Sequence, residues 1–167
     1  INNYSKAITK YPNNFYFFLE RGKAKQEYGD FEGAIDDFNN AFKINPDKRF
    51  LFYKANSKFD YGDFKGAIKD YKNLISLKDF KEQVFYNLAS AQLINFKYED
   101  SIVNYSKSIE YDHNDDLAYL NRGNAKFKIM DYLGSSADYS KSIEINKNSY
   151  IALNLSLIHI SEPTRRT

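Results

Sequence analysis

The chain has 167 residues and a formal net charge of +2. A charge this close to neutral gives no electrostatic reason to bind nucleic acid or an acidic membrane, so neither is expected as a partner. The chain contains no cysteine, which excludes disulfide bonds, a thiol nucleophile and a thiolate metal site. Its longest run without Lys, Arg, Asp or Glu, Asn148 to Ser161, is too short to span a bilayer.

A unit of about 34 residues recurs along the chain. Asp30–Phe31 aligns with Asp63–Phe64, Lys97–Tyr98 and Asp131–Tyr132, at steps of 33, 34 and 34 residues. Apolar and small residues repeat within each unit at spacings of three and four, which places them on one face of a helix. Each unit contains two such stretches. The sequence therefore predicts an all-α solenoid of stacked antiparallel helical hairpins.

The first predicted element, residues 1–12, is the second helix of a repeat whose first helix is missing. Tyr4 and Ala7 lie 34 residues before Phe38 and Ala41, which belong to the second helix of the next unit. The chain also has no initiator methionine. We therefore expect it to be a fragment of a longer protein, with any targeting segment outside the sequence.

Four full repeats follow, and a fifth begins after them. The predicted bounds are 15–48, 49–81, 82–115 and 116–149 for the full repeats and 150–154 for the start of the fifth. Gly29–Asp30 and Gly62–Asp63 separate the two helices of the first two repeats, where glycine can adopt a positive φ and aspartate can cap the next helix. The third and fourth repeats have Phe96–Lys97 and Met130–Asp131 at these positions. Both repeats therefore lack the glycine, and the third also lacks the capping aspartate.

Close packing within each hairpin is predicted from pairs of small and aromatic residues. A small residue on the first helix lets the two helices approach, and an aromatic residue on the second helix fills the remaining space. The small residues are Gly22, Ala55, Ala89 and Gly123, and the aromatic residues are Phe38, Tyr71, Tyr105 and Tyr139.

The repeat pattern ends after Asn154. Residues 155–167 have no counterpart in earlier units and resemble the translation of a transposase-type sequencing adapter. The body uses mainly lysine and has the Asn, Ile, Tyr and Phe bias of a bacterial or other low-GC source, whereas the tail supplies Arg165 and Arg166. We therefore predict a non-native tail, with a native helix and tail as the alternative.

Over roughly residues 1–154 the pattern resembles the tetratricopeptide repeat. The best-matching stretch is Phe18–Pro46, with Gly22, Ala24, Gly29–Asp30–Phe31, Ala34–Ile35, Phe38 and Ala41 at family-typical positions. Two departures are clear. The closing proline becomes Asp79, His113 and Lys147 in later repeats, and an aromatic position is occupied by Lys25, Lys58, Gln92 and Lys126.

The resemblance implies a right-handed superhelix whose first helices line a concave, peptide-binding groove. On that geometry the groove residues are Lys23, Phe52, Tyr53, Asn56, Tyr86, Asn87, Asn121, Asn124 and Phe127. The four asparagines are predicted to form an amide ladder that pairs with an extended peptide backbone, beside aromatic residues that supply apolar pockets. The alternative is that asparagine is simply abundant at solvated positions. The family's carboxylate clamp is disfavoured because its cationic residues are missing here.

No catalytic chemistry is predicted. His113 occupies a turn position and His159 lies in the tail, and no phosphate-binding loop or nucleophile elbow is present. Acidic clusters such as Asp36–Asp37 are interpreted as structural, since carboxylates near a helix start favour its dipole. We therefore expect no enzyme activity, cofactor, metal or small-molecule substrate.

The predicted function is a protein–protein interaction scaffold that holds a peptide or helix in the concave groove. One alternative is self-association through open repeat ends, because unpaired helix faces tend to adhere to one another. A second is a regulatory segment of a larger enzyme whose catalytic domain is missing. The cytoplasm is favoured as the compartment, although the sequence does not determine it.

Overall fold

The computed structural model describes residues 1–76 and 81–147, and this part of the chain is entirely helical apart from its turns. Its helices are α1 (Asn2–Lys10), α2 (Phe15–Tyr28), α3 (Phe31–Ile44), α4 (Lys48–Tyr61), α5 (Phe64–Leu74), α6 (Lys81–Ile94), α7 (Tyr98–Tyr111), α8 (Asp116–Lys128) and α9 (Tyr132–Ile145). The predicted all-α helical repeat is confirmed. The predicted start of a fifth repeat, the predicted non-native tail and His159 lie outside the described residues.

The chain divides into two compact units, and the first contains α1 to α5. Each helix in this unit packs against the next along the chain. The α2–α3 contact depends on a glycine, because a Cβ atom on Gly22 would lie 2.8 Å from the Phe38 ring. Phe38 is fully buried, so its ring has little room to move away. In the next hairpin, Ala55 and Tyr71 are buried at the equivalent positions.

The second unit contains α6 to α9 and repeats the same packing. Tyr105 and Tyr139 are fully buried. Ala89 belongs to the same core cluster as Tyr105, and a Cβ atom on Gly123 would lie 2.7 Å from the Tyr139 ring. The small-and-aromatic pairing predicted from the sequence is therefore present in this unit as well.

The turn inside each hairpin uses a left-handed residue, whether or not that residue is glycine. Gly29 and Gly62 have φ values of 87° and 91°, and Phe96 and Met130 have 61° and 66° at the equivalent positions. A side chain in this conformation costs about 1–2 kcal/mol relative to glycine. The second unit therefore keeps the turn geometry of the first at an energetic cost.

Aspartate caps the second helix of three hairpins. The carboxylate Oδ1 atoms of Asp30, Asp63 and Asp131 accept hydrogen bonds from backbone N–H groups three residues later, at 3.0, 2.9 and 2.9 Å. Lys97 makes no such bond at the start of α7. The loss of the third cap agrees with the sequence interpretation.

A buried carboxylate joins three helices of the first unit. Asp37 on α3 is 1% exposed and accepts hydrogen bonds from Nε and Nη2 of Arg21 at 2.8 and 2.6 Å. Lys25 Nζ lies 3.0 Å from the same carboxylate. Arg21 Nη1 also donates to Ser5 Oγ on α1 at 3.0 Å. Asp37 is thus structural, as expected, but through buried ion pairs rather than through the helix dipole, and Asp36 beside it is exposed.

The second unit contains the same cluster between α7, α8 and α9. Arg122 donates to Asp138 at 2.9 and 2.6 Å and to Ser106 Oγ at 3.0 Å, and Lys126 lies 2.8 Å from Asp138. The lysines that depart from the family pattern therefore serve as partners of buried carboxylates.

The remaining two hairpins vary this cluster. Between α4 and α5, Asp70 pairs with Lys58 at 2.7 Å and with Lys54 at 3.5 Å. Between α6 and α7 the pair is neutral, because Asn104 Nδ2 donates to Gln92 Oε1 at 2.8 Å. Charge is therefore optional at this position, but a hydrogen-bonded pair is always present.

Candidate functional site

A groove in the first unit lies between the first helices of two successive hairpins, α2 and α4. Its volume is about 480 Å³, and the residues that line it are Lys23, Gln26, Glu27, Tyr53, Asn56 and Asp60. On each helix the three residues are spaced by three or four positions or are direct neighbours, which keeps them on one face. Three of the six, Lys23, Tyr53 and Asn56, are among the groove residues that the family resemblance implied. This cavity is called the α2–α4 groove below.

The groove contains one cation, and that cation already has partners. Lys23 Nζ lies 3.0 Å from Glu20 Oε1 and 5.2 Å from the centre of the Tyr53 ring. Burial opposes the charge on Lys23, but the hydrogen bond and charge of Glu20 outweigh it and raise the pKa of the lysine. Lys23 is therefore charged at neutral pH and held within the groove.

The two carboxylates of the groove are less constrained. Asp60 Oδ2 accepts a hydrogen bond from Gln26 Nε2 at 2.9 Å, and this amide is neutral. Glu27 is exposed, and among the described residues it has no ion pair. With Lys23 neutralised by Glu20, the α2–α4 groove carries an excess of negative charge.

The predicted ladder asparagines have partners inside their own units. Asn56 Oδ1 accepts from the Tyr71 hydroxyl at 2.6 Å, and Asn124 Oδ1 accepts from the Tyr139 hydroxyl at 2.8 Å. Ser90 bonds the Tyr105 hydroxyl at 2.9 Å in the same way. These residues thus satisfy the hydroxyl groups of buried tyrosines, which would otherwise be costly to bury.

The first hairpin shows why these positions vary together. Phe38 replaces tyrosine there, and Lys23 occupies the position of the hydrogen-bonding residue. Because Phe38 has no hydroxyl group that needs a hydrogen-bond acceptor, the position of Lys23 can carry a charged side chain into the groove.

The other two ladder asparagines lie in the second unit. Asn121 Nδ2 donates to the Tyr86 hydroxyl at 3.1 Å, and Asn87 is half-buried. Burial raises the pKa of Tyr86, and the nearby Asp115 raises it further. A continuous ladder through Asn56, Asn87, Asn121 and Asn124 remains a prediction.

The predicted aromatic residues fall into two groups. Phe52 is 8% exposed and packs against Tyr53 and Tyr71, with ring centres 6.2 and 6.3 Å away. It lies in the core, so its assignment to the groove surface is wrong. Tyr53 and Phe127 are half-buried, and the ring of Phe127 lies 5.6 Å from that of Tyr132.

The acidic cluster before α8 serves the turn there. Asp112 Oδ1 accepts from the Asn114 N–H at 2.8 Å, and Asp115 Oδ1 accepts from the Ala118 N–H at 3.0 Å. His113 is exposed between them. In residues 1–76 and 81–147, no three His, Cys, Asp or Glu side chains are grouped closely enough to hold a metal ion.

Within the same ranges, every helix is too short or too polar to cross a membrane.

One segment of the chain matches a known family model. Residues 97–129 match the family model of the TPR (tetratricopeptide) repeat. No curated protein is significantly similar to the chain in sequence.

Several solved structures share the fold. A crystal structure of MamA has a TM-score of 0.80 and 19% identity, covering 86% of this chain and 85% of that one. YrrB, described as a TPR protein with an unusual peptide-binding site, has a TM-score of 0.79 and 12% identity, covering 98% and 84%. The first TPR of Spaghetti (RPAP3), bound to the HSP90 peptide SRMEEVD, has a TM-score of 0.64 and 22% identity, covering 67% and 89%.

Proposed function

We propose that this chain is a tetratricopeptide-repeat protein and acts as an interaction scaffold that holds an extended peptide in the α2–α4 groove. The observation that carries the proposal is the groove itself, a cavity of about 480 Å³ lined by side chains from two successive first helices. Two of the proteins that share the fold are described with a peptide or a peptide-binding site.

The lining of the groove suits a peptide better than a compact apolar ligand. Gln26 uses its Nε2 group on Asp60, and its amide oxygen can accept a hydrogen bond from a peptide backbone N–H. Tyr53 offers a half-buried aromatic ring of the kind that anchors a bound side chain. Sites for drug-like small molecules are instead enclosed and mostly apolar.

The test is a selection of displayed random peptides on the full chain, followed by binding measurements on a Tyr53→Ala variant. We expect enriched peptides to lose about tenfold or more in affinity, as at an aromatic anchor. Tyr61→Ala is the matched control, because Tyr61 is on the same helix, is 53% exposed and is absent from the groove lining.

Tyr53 also packs against Phe38, with ring centres 5.6 Å apart, so circular dichroism must show that the Tyr53→Ala variant is folded at the temperature of the binding assay. If a folded Tyr53→Ala variant binds the enriched peptides as well as the original chain, the proposed groove is the wrong surface.

Self-association is a second candidate function, favoured by the second unit. Phe96 and Met130 at its hairpin turns are 78% and 70% exposed, and Leu133 in the first turn of α9 is 89% exposed. Large apolar side chains at this level of exposure are typical of contact surfaces. Sedimentation analysis of the full chain and of a Phe96→Asn, Leu133→Glu variant tests it. A chain that stays monomeric at high concentration would rule this function out.

A further inference from the structure

We propose that the α2–α4 groove selects peptides through an arginine side chain, which pairs with Glu27 and Asp60. This inference rests on the proposed peptide-binding function and adds the chemistry of the partner. The groove-lining residues include two carboxylates and one ammonium group. Since Lys23 is paired with Glu20 at 3.0 Å, a ligand entering the groove meets a net negative charge.

The pairing inside the groove indicates which ligand charge is missing. Lys23 already satisfies Glu20 and lies over the Tyr53 ring at 5.2 Å. Asp60 is bonded only to the neutral amide of Gln26 among the contacts that the structure describes. A cation from the ligand would give Glu27 and Asp60 the cationic partner that neither has among the described residues.

Arginine fits this groove better than lysine does. Its planar guanidinium group carries five N–H donors and can bond two carboxylates at once, whereas an ammonium group acts as a point charge. Both carboxylates are exposed, so the pairs are solvated and each contributes little alone. We expect charge to set peptide selectivity and association rate more than total affinity.

The second unit lacks this chemistry at the equivalent positions. Ile94 on α6 and Lys128 on α8 replace Glu27 and Asp60. An arginine side chain would find no carboxylate there. The selectivity is therefore assigned to the first unit alone.

The experiment uses the full chain and three displayed peptide libraries that differ only in a fixed central residue, which is arginine, glutamine or glutamate. We expect enrichment from the arginine library. Replacing that arginine with citrulline, which is neutral and of similar shape, should weaken the selected peptides about tenfold, and raising the salt concentration should weaken them further.

Variants of the chain test the residues. Glu27→Gln combined with Asp60→Asn should lower the affinity of arginine peptides about tenfold. Lys23→Met removes the internal cation but keeps its apolar stem, and it should raise the affinity a few-fold. Asp36→Asn is the matched control, because Asp36 is exposed on α3 and does not line the groove.

The outcomes separate the two proposals. Enriched peptides without a requirement for arginine, or without any effect of the Glu27 and Asp60 changes, would overturn the arginine inference and leave peptide binding intact. Absence of enrichment from all three libraries on a folded chain would overturn both.

Discussion

The first and second units differ in charge near the end of each first helix. Glu27 and Asp60 occupy that position in the first unit, and Ile94 and Lys128 occupy it in the second. The buried positions of the two units are alike, with a buried small residue on the first helix and a buried aromatic residue on the second helix of each hairpin. Packing therefore specifies the backbone in both units, while the exposed positions are left to carry different binding chemistry.

The hydrogen-bonded pairs between the two helices of each hairpin offer a second comparison, between charged and neutral pairs. Asp138 is 3% exposed and holds Arg122 and Lys126, whereas Asn104 and Gln92 form an uncharged pair in the same unit. Removal of one partner from a buried ion pair leaves an uncompensated charge, which costs more than an unpaired amide does.

The largest expected effect is therefore that of Asp138→Ala, at about 3 kcal/mol of unfolding free energy. Asn104→Ala is expected to cost about 1–2 kcal/mol, because it leaves the Gln92 amide oxygen without its donor. Urea unfolding followed by circular dichroism measures both. Asp36→Ala, on an exposed position, should change stability by less than about 0.5 kcal/mol. Equal losses from Asp138→Ala and Asn104→Ala would refute the distinction between the two pairs.

Alkaline pH should weaken the second unit. Burial raises the pKa of Tyr105 and Tyr139 in the folded chain. Below an unfolded value of about 10, both states keep the hydroxyl proton and the stabilisation is complete. Above it, the unfolded chain loses protons that the folded chain retains, so stability falls as pH rises toward the folded pKa values.

Urea unfolding at about pH 8 and at about pH 11 measures this loss of unfolding free energy. The double variant Tyr105→Phe, Tyr139→Phe should lose less of it between these pH values than the original chain does. Phe38 at the equivalent position of the first unit has no hydroxyl group, so Phe38 cannot contribute to the pH dependence. An unchanged pH dependence in the double variant would show that other groups cause it.

The smallest effects are expected at the hairpin turns. Phe96→Gly and Met130→Gly should each stabilise the chain by about 1 kcal/mol, since glycine adopts a positive φ without steric cost. Gly62→Ala in the first unit should have the opposite sign and a similar magnitude. Thermal unfolding measures all three. Destabilisation by Phe96→Gly would indicate that the exposed ring makes contacts that outweigh the backbone cost.

Much of the fold could be predicted from the sequence because the repeat is visible four times. The spacing of small and aromatic residues sets which faces meet, so the packing of Gly22 against Phe38 follows from the pattern. The buried ion pairs were missed for a physical reason. A lysine at a core position was treated as a departure from a family pattern, and its partner lies 12 residues later on the other helix.

A signal for those pairs was nonetheless present. When the repeats are aligned with one another, an aspartate follows Lys25, Lys58 and Lys126 at the same distance along the chain. Asn104 follows Gln92 at that distance too. A change of both members together indicates contact. The same comparison pairs Asn56 with Tyr71 and Lys23 with Phe38, which would have indicated an internal role for the asparagine.

The candidate site was only partly predictable. The resemblance to the tetratricopeptide repeat implied that Lys23, Tyr53 and Asn56 share one surface, and all three line the α2–α4 groove. The depth of a side chain depends on how close the neighbouring helix comes, and sequence spacing does not give that distance. Phe52 was misplaced for this reason.

The hydrogen bonds from Arg21 to Ser5 and from Arg122 to Ser106 determine how many helices must be moved together in repeat engineering. In each case the guanidinium group bonds a serine on the preceding helix, 16 residues earlier, and an aspartate 16 residues later. A hairpin grafted behind a foreign helix that lacks this hydroxyl would carry an unsatisfied N–H into the new junction. Chimeric arrays built from this chain should therefore exchange blocks of three helices rather than two.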